Sequence, residues 1–149
     1  MGAERPRGIV DTNIVIFRDL LLPETLPAEM AISAVTLAEL SMGLHAVVGD
    51  DVAARLERGR RAAILQRVEN EFDPIPFDAV VARIYGQVAG MVIAHGRSPR
   101  RRFADLQIAA TAVASGVPLY TTNPDDFVGL ESILDLVAVE RPPAWISKE

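Results

Sequence analysis

Short apolar runs alternate along the chain with longer stretches whose apolar residues recur at helical spacing. Residues 7–11 form a run too apolar for a strand with one wet face, so a buried strand is expected there. Further short strands are expected at 30–34, 117–121 and 136–139. Helical spacing covers 13–22, which stops before Pro23, and 36–48, which Gly49-Asp50 breaks. A charged helix is expected over 51–72, with apolar positions at Val52, Leu56, Ala63, Ile64, Leu65 and Val68 and a weak middle at Gly59. A strongly apolar helix over 78–94 ends at His95-Gly96, and another over 103–115 ends at Gly116, a good C-cap. The connections are a proline-punctuated loop (23–29), a brief extended link (73–77), the basic loop RSPRRR (97–102) and the turn TNPDD (122–126). Residues 1–6 read as a polar lead and 141–149 as a proline-rich tail. Strands alternating with helices predict an α/β fold, a parallel sheet with helices on both faces, in one domain spanning 1–149. Ligands in such sheets collect beyond the carboxyl ends of the strands.

Composition narrows this picture. Half of the 149 residues are apolar and mean hydropathy is +0.22, yet no apolar stretch reaches the ~18 residues of a membrane helix. The first nine residues carry no apolar leader, so a soluble cytoplasmic protein is expected. Without cysteine, disulfides and thiolate metal sites are excluded. The basic residues are fourteen arginines and a single lysine, Lys148, which nearly excludes any mechanism built on an interior lysine. A net charge of −5 argues against broad adhesion to nucleic acid. The high apolar fraction fits either a large core or a surface covered by a partner.

A carboxylate, a hydroxyl and an amide interrupt the apolar run GIVDTNIVI at 8–16. A buried charge needs compensation, and no cap role for Asp11 is evident after a buried strand. Three more acids sit at strand ends or helix starts: Glu39 in SAVTLAEL, Asp105 in RRFADLQIAATA and Asp126 in TTNPDDF. Each has an ordinary reading. Thr36 and Glu39 fit a capping box, Asp105 can complement a helix dipole, and Asp126 can belong to a turn. Gathered at one sheet edge, the four would raise one another's pKa. A hard divalent cation, Mg²⁺ or Mn²⁺, resolves that repulsion with oxygen ligands alone. Asn13 and Thr121 can add neutral oxygens or orient the acids. His45 and His95 lack zinc spacing and read as helix-end or surface residues. A water-rich Mg²⁺ site takes its remaining oxygens from a phosphate ester, held by one or two cations. Arg97, Arg100, Arg101 and Arg102 lie just before Asp105, placing positive charge at the rim of an acidic pocket where a nucleic-acid backbone can be drawn in. Arg60-Arg61 is a weaker candidate patch of the same kind, read first as the exposed face of its helix, and sparse aromatics argue against base stacking.

The segments IVDTN, SAVTLAEL, RFADLQIAATA and LYTTNPDDF, in this order over most of the chain, resemble the PIN-domain ribonucleases, and more narrowly the VapC toxins of bacterial type II toxin–antitoxin pairs. The resemblance implies a three-layer fold with a short parallel sheet of four or five strands. It implies Mg²⁺- or Mn²⁺-dependent endonucleolytic cleavage of RNA, giving 5′-phosphate and 3′-hydroxyl ends. Asp11, Glu39, Asp105 and Asp126 would be the catalytic, metal-binding acids. Asp126 is preferred over Asp125 because it directly precedes Phe127, and Asn123 stands where relatives can carry an acid. A homodimer and a cognate antitoxin that obstructs the site are also implied; the apolar character of the 79–94 helix makes it, separately, a candidate for part of an interface. One rival is an aspartate-type phosphatase or phosphotransferase, disfavoured by Asn13 and by the absence of an interior lysine. The other is a binding module of this fold without catalysis, disfavoured by the complete acidic set. No G-x-G-x-x-G follows the first strand, which argues against a dinucleotide site.

Overall fold

The computed structural model describes residues 7–142; the polar lead (1–6) and the tail from 143 onward, including Lys148, lie outside the described residues. Four strands, β1 (Arg7–Val10), β2 (Glu29–Ala31), β3 (Leu119–Thr121) and β4 (Leu136–Ala138), form one sheet in the order β2-β1-β3-β4. Every pairing is parallel: Ile9 stands opposite both Ala31 and Leu119, and Val10 opposite Tyr120.

Successive side chains of a strand face opposite ways, and the core divides accordingly. Ile9 and Leu119 belong to a cluster with Val81, Val88 and Val92 of α4 (Ala79–Ala94) and Leu106 and Ile108 of α5 (Phe103–Ser115). Val10 and Tyr120 belong to a second cluster. There they join Ile14 of α1 (Thr12–Ile16), Leu40 of α2 (Ala34–His45) and Val68 of α3 (Val52–Glu71). The expected three-layer α/β fold follows from this alternation. At the centre of the sheet the packing is close: a Cβ on Gly8 would lie 2.6 Å from Tyr120 Cε1 and 3.2 Å from Pro27 Cβ. No described helix is long and apolar enough to cross a membrane.

Asp51 and Asp78 cap α3 and α4, accepting from the backbone N–H of Ala54 at 2.8 Å and of Val81 at 3.0 Å. Gly116 closes α5 in the left-handed region, at φ 66°. Two expectations need correction. The helix expected over 13–22 is a five-residue α1 followed by a 3-10 turn at Arg18–Leu20. Phe17 leaves helical geometry at φ −107°, ψ 19°, and Leu21 turns into the core. Helix α2 starts before Thr36, and its cap is Ser33, which accepts from Val35 N–H at 3.0 Å. Residues 73–77 explain the early start. Ile75 pairs with the end of the second strand segment, accepting from Ala34 N–H at 2.8 Å and donating to Ile32 O at 2.9 Å. The chain is thus held extended up to Ser33 and coils at once. The capping box at Thr36 and Glu39 therefore does not form. On α4, Val81, Val88 and Val92 are consumed by the core, while Val80 and Ile93 remain exposed.

Candidate functional site

Asp11 leaves the carboxyl end of β1 and is 5% exposed. It does have a cap role. Helix α1 begins immediately, and Asp11 Oδ1 accepts from Ile14 N–H at 3.1 Å. Its other oxygen accepts the Thr121 hydroxyl at 2.5 Å, a contact made possible because β3 runs parallel beside β1. Glu39, in the second turn of α2, accepts the Thr12 hydroxyl at 2.6 Å, and Thr12 Oγ1 lies 3.1 Å from Thr36 Oγ1. Asp105 is the third residue of α5 and half-buried, and it accepts no hydrogen bond from any described residue. Asp126 lies in a 3-10 turn, Pro124–Phe127, and pairs with Arg102 at 2.8 Å.

The fold brings three of these acids onto one cavity. Asp11, Glu39 and Asp105 line a space of about 400 Å³ together with Thr12 and Asn13. Asp126 is not on its wall but stands close enough to act electrostatically. Burial raises the Asp105 carboxyl to about 6, helped by the charges of Asp126, Glu39 and Asp11 and opposed by Arg102. Asp11 is raised as well, first by burial, against the bonds from Thr121 and Ile14, with Glu39 and Asp126 adding to the rise.

Among the described residues, no three acidic or imidazole side chains are already gathered closely enough to hold a metal ion. Asp11, Glu39 and Asp126 are each bonded to a donor of the protein itself. The chemistry of the set nevertheless fits a hard divalent cation. All donors are oxygens, three of the four share a cavity, and at Asp105 their mutual repulsion is only partly offset by Arg102.

The basic loop divides in two. Arg97 and Arg102 donate to Asp125 O at 2.8 and 3.3 Å and so tie the 124–127 turn to the start of α5. Arg100 and Arg101 are exposed. Asn123 donates its backbone N–H to Thr121 Oγ1 at 3.0 Å and thereby steadies the hydroxyl that holds Asp11. Asn123 and Asp125 do not line the cavity. His45 ends α2, and His95 is the exposed C-cap of α4. The sequence does not announce the role of Thr12, and it offers Arg60 and Arg61 only as a weaker basic patch. Thr12, beside Asp11, orients Glu39. Arg60 and Arg61 line the cavity rather than merely facing solvent. The signal available for the arginines is the spacing of Glu57 to both, one turn earlier on the same helix face.

The family model described as PIN domain matches residues 9–130. Ribonuclease VapC5 of Mycobacterium tuberculosis is 34% identical over 134 residues, covering 88% of this chain and 93% of that protein. Toxin FitB of Neisseria gonorrhoeae is 30% identical over 136 residues, covering 87% of this chain and 84% of that protein. A solved member of the VapBC family of toxin–antitoxin systems, VapBC-5 from Mycobacterium tuberculosis, superposes with a TM-score of 0.72 at 29% identity. That match covers 91% of this chain and 98% of the other.

Proposed function

This chain belongs to the PIN-domain family, among its VapC-type members, and from that membership we propose that it is an endoribonuclease acting as the toxin of a toxin–antitoxin pair. The observation that carries the reading is the convergence of Asp11, Glu39 and Asp105 on one cavity, with Asp126 within electrostatic reach. The substrate is structured RNA, and the reaction is hydrolysis of a phosphodiester. Asp11 and Asp105 are the principal holders of a Mg²⁺ or Mn²⁺ ion, with Asp126 completing the set or holding a weaker second ion. When bound, the ion supplies Lewis-acid charge at the phosphate and acidifies water there.

The remaining work falls to the chain's own groups. Thr121 fixes one oxygen of Asp11 and the Ile14 N–H the other, so the Asp11 carboxylate has one orientation. Thr12 does the same for Glu39, which serves as a ligand or takes a proton from the attacking water. Asn13, on the cavity wall, offers an amide to the substrate or to an ordered water. Asn123 supports Thr121 from behind. The exposed Arg100 and Arg101, with Arg97 and Arg102 beside them, meet the RNA backbone at the rim.

The relatives named as a toxin and as part of a toxin–antitoxin complex support a cognate antitoxin as partner, and we extend this to a homodimer and a toxin–antitoxin hetero-oligomer. Exposed Val48, Val52 and Leu56, between and on α2 and α3 and away from the cavity, supply apolar surface for such partners. The direct test incubates purified protein with a structured RNA. Cleavage requires Mg²⁺ or Mn²⁺, stops with chelator, and falls about a hundredfold or more in Asp105→Asn. Identical RNA in wild-type and variant lanes would overturn the reading.

A further inference from the structure

The acids make their cavity hostile to a polyanion, on a chain that is already negative by five charges. Something on the cavity wall must offset this for RNA to enter. Among the described residues lining it, the cations are Arg60 and Arg61, both on α3. Arg97 and Arg102 hold the 124–127 turn at the rim and do not line the cavity.

The α3 pair is held ready. Arg60 grips Glu57 through Nε and Nη2 at 3.0 and 2.8 Å, and Arg61 Nε meets the same carboxylate at 2.8 Å. Two guanidinium groups thus share one anion, and a full positive charge is left over. Arg61 also donates to Gly43 O at 2.5 Å, which fixes it between α2 and α3. Both side chains stay open to solvent, at 50% and 37% exposure. Beside them the wall turns apolar at Phe17, Met42 and Ile64. Fixed guanidinium donors suit a phosphate, and a flanking apolar surface suits the face of a nucleobase.

We propose that Arg60 and Arg61 form a phosphate subsite that receives a nucleotide of the RNA next to the one being cut, its base lying on Phe17, Met42 and Ile64. The proposal rests on the ribonuclease reading and adds to it the part of the cavity that binds substrate without touching the reacting atoms. The subsite is poised by Glu57, which stays ionised down to about pH 2 between its two partners.

The test measures affinity for a fluorescein-labelled single-stranded RNA across a KCl series, in an Asp105→Asn background so that the strand stays whole. Arg60→Gln is the first variant, because among the described residues Arg60 bonds only to Glu57. It should lower the slope of log K against log[salt] by about 0.7, and the double change with Arg61→Gln should lower it by at least as much. Glu57→Gln frees the pair and should tighten binding about fivefold near 0.1 M salt, an effect that damage to the fold cannot imitate. An unchanged slope in Arg60→Gln, or no gain in Glu57→Gln, overturns the subsite. Unchanged RNA slopes with a lost antitoxin complex also overturn it and assign the cavity to protein. Slopes that shift as expected while wild-type protein leaves RNA uncut support the subsite, and the ribonuclease reading alone fails.

Discussion

Asp105 is half-buried with three other carboxylates for company, and among the described residues no donor bonds to it, Arg102 offsetting the repulsion only from a distance. Its folded pKa of about 6 lies above the model-peptide value of 3.8, so the charged form costs stability. The sign follows directly. Below about pH 4 the group is neutral in both states and costs nothing. Between pH 4 and 6 the unfolded chain loses its proton first and stability drains away, and above pH 6 the cost is complete. In metal-free protein, Asp105→Asn should therefore raise stability at pH 7 by about 1 kcal/mol, after allowing for solvent screening at a half-buried group. It should change nothing near pH 3.5. Urea midpoints at the two pH values check this, and a loss of several kcal/mol at pH 7 would make Asp105 a structural cap. Asp11 differs from Asp105 in having donors. A sequence reading finds Asp11 from the polar break in an apolar run but misses its cap. The five-residue helix that follows has no periodicity of its own, because one turn and a half is too short to display one.

Elements with regular patterning were legible, and those held by tertiary contacts were not. Helix α5 runs over the expected residues because its apolar spacing and Gly116 act locally. Helix α2 begins where Ile75, distant in sequence, stops supporting an extended chain. No local signal announces that choice between Ser33 and Thr36. Ser33→Ala should thus cost about 1–2 kcal/mol in chemical denaturation, since it removes the cap of a buried helix end. Strand β1 has a comparable weak point. Gly8→Ala places a methyl group into Tyr120 and against Pro27, and should destabilise by about 1–3 kcal/mol, read as a lower urea midpoint with unchanged slope.

For the molecule as a whole, the acids are also a reservoir of binding energy. A cation that joins the folded site and not the unfolded chain stabilises by mass action, by about 2.7 kcal/mol at a hundred times its Kd. Adding Mn²⁺ at pH 7.5 should raise the Tm of the wild type and much less that of Asp105→Asn. Below pH 6 the wild-type gain should shrink as Asp105 takes up a proton. A Tm indifferent to Mn²⁺ at pH 7.5 would leave these acids without a cation to share. The parallel sheet also fixes when the site can exist. Asp11 follows the first strand, Glu39 and Asp105 ride on separate helices, and Asp126 comes only after β3 has been laid beside β1. The four acids therefore cannot be assembled on a growing chain until residue 126 has been added, so a truncation anywhere before it leaves the set incomplete.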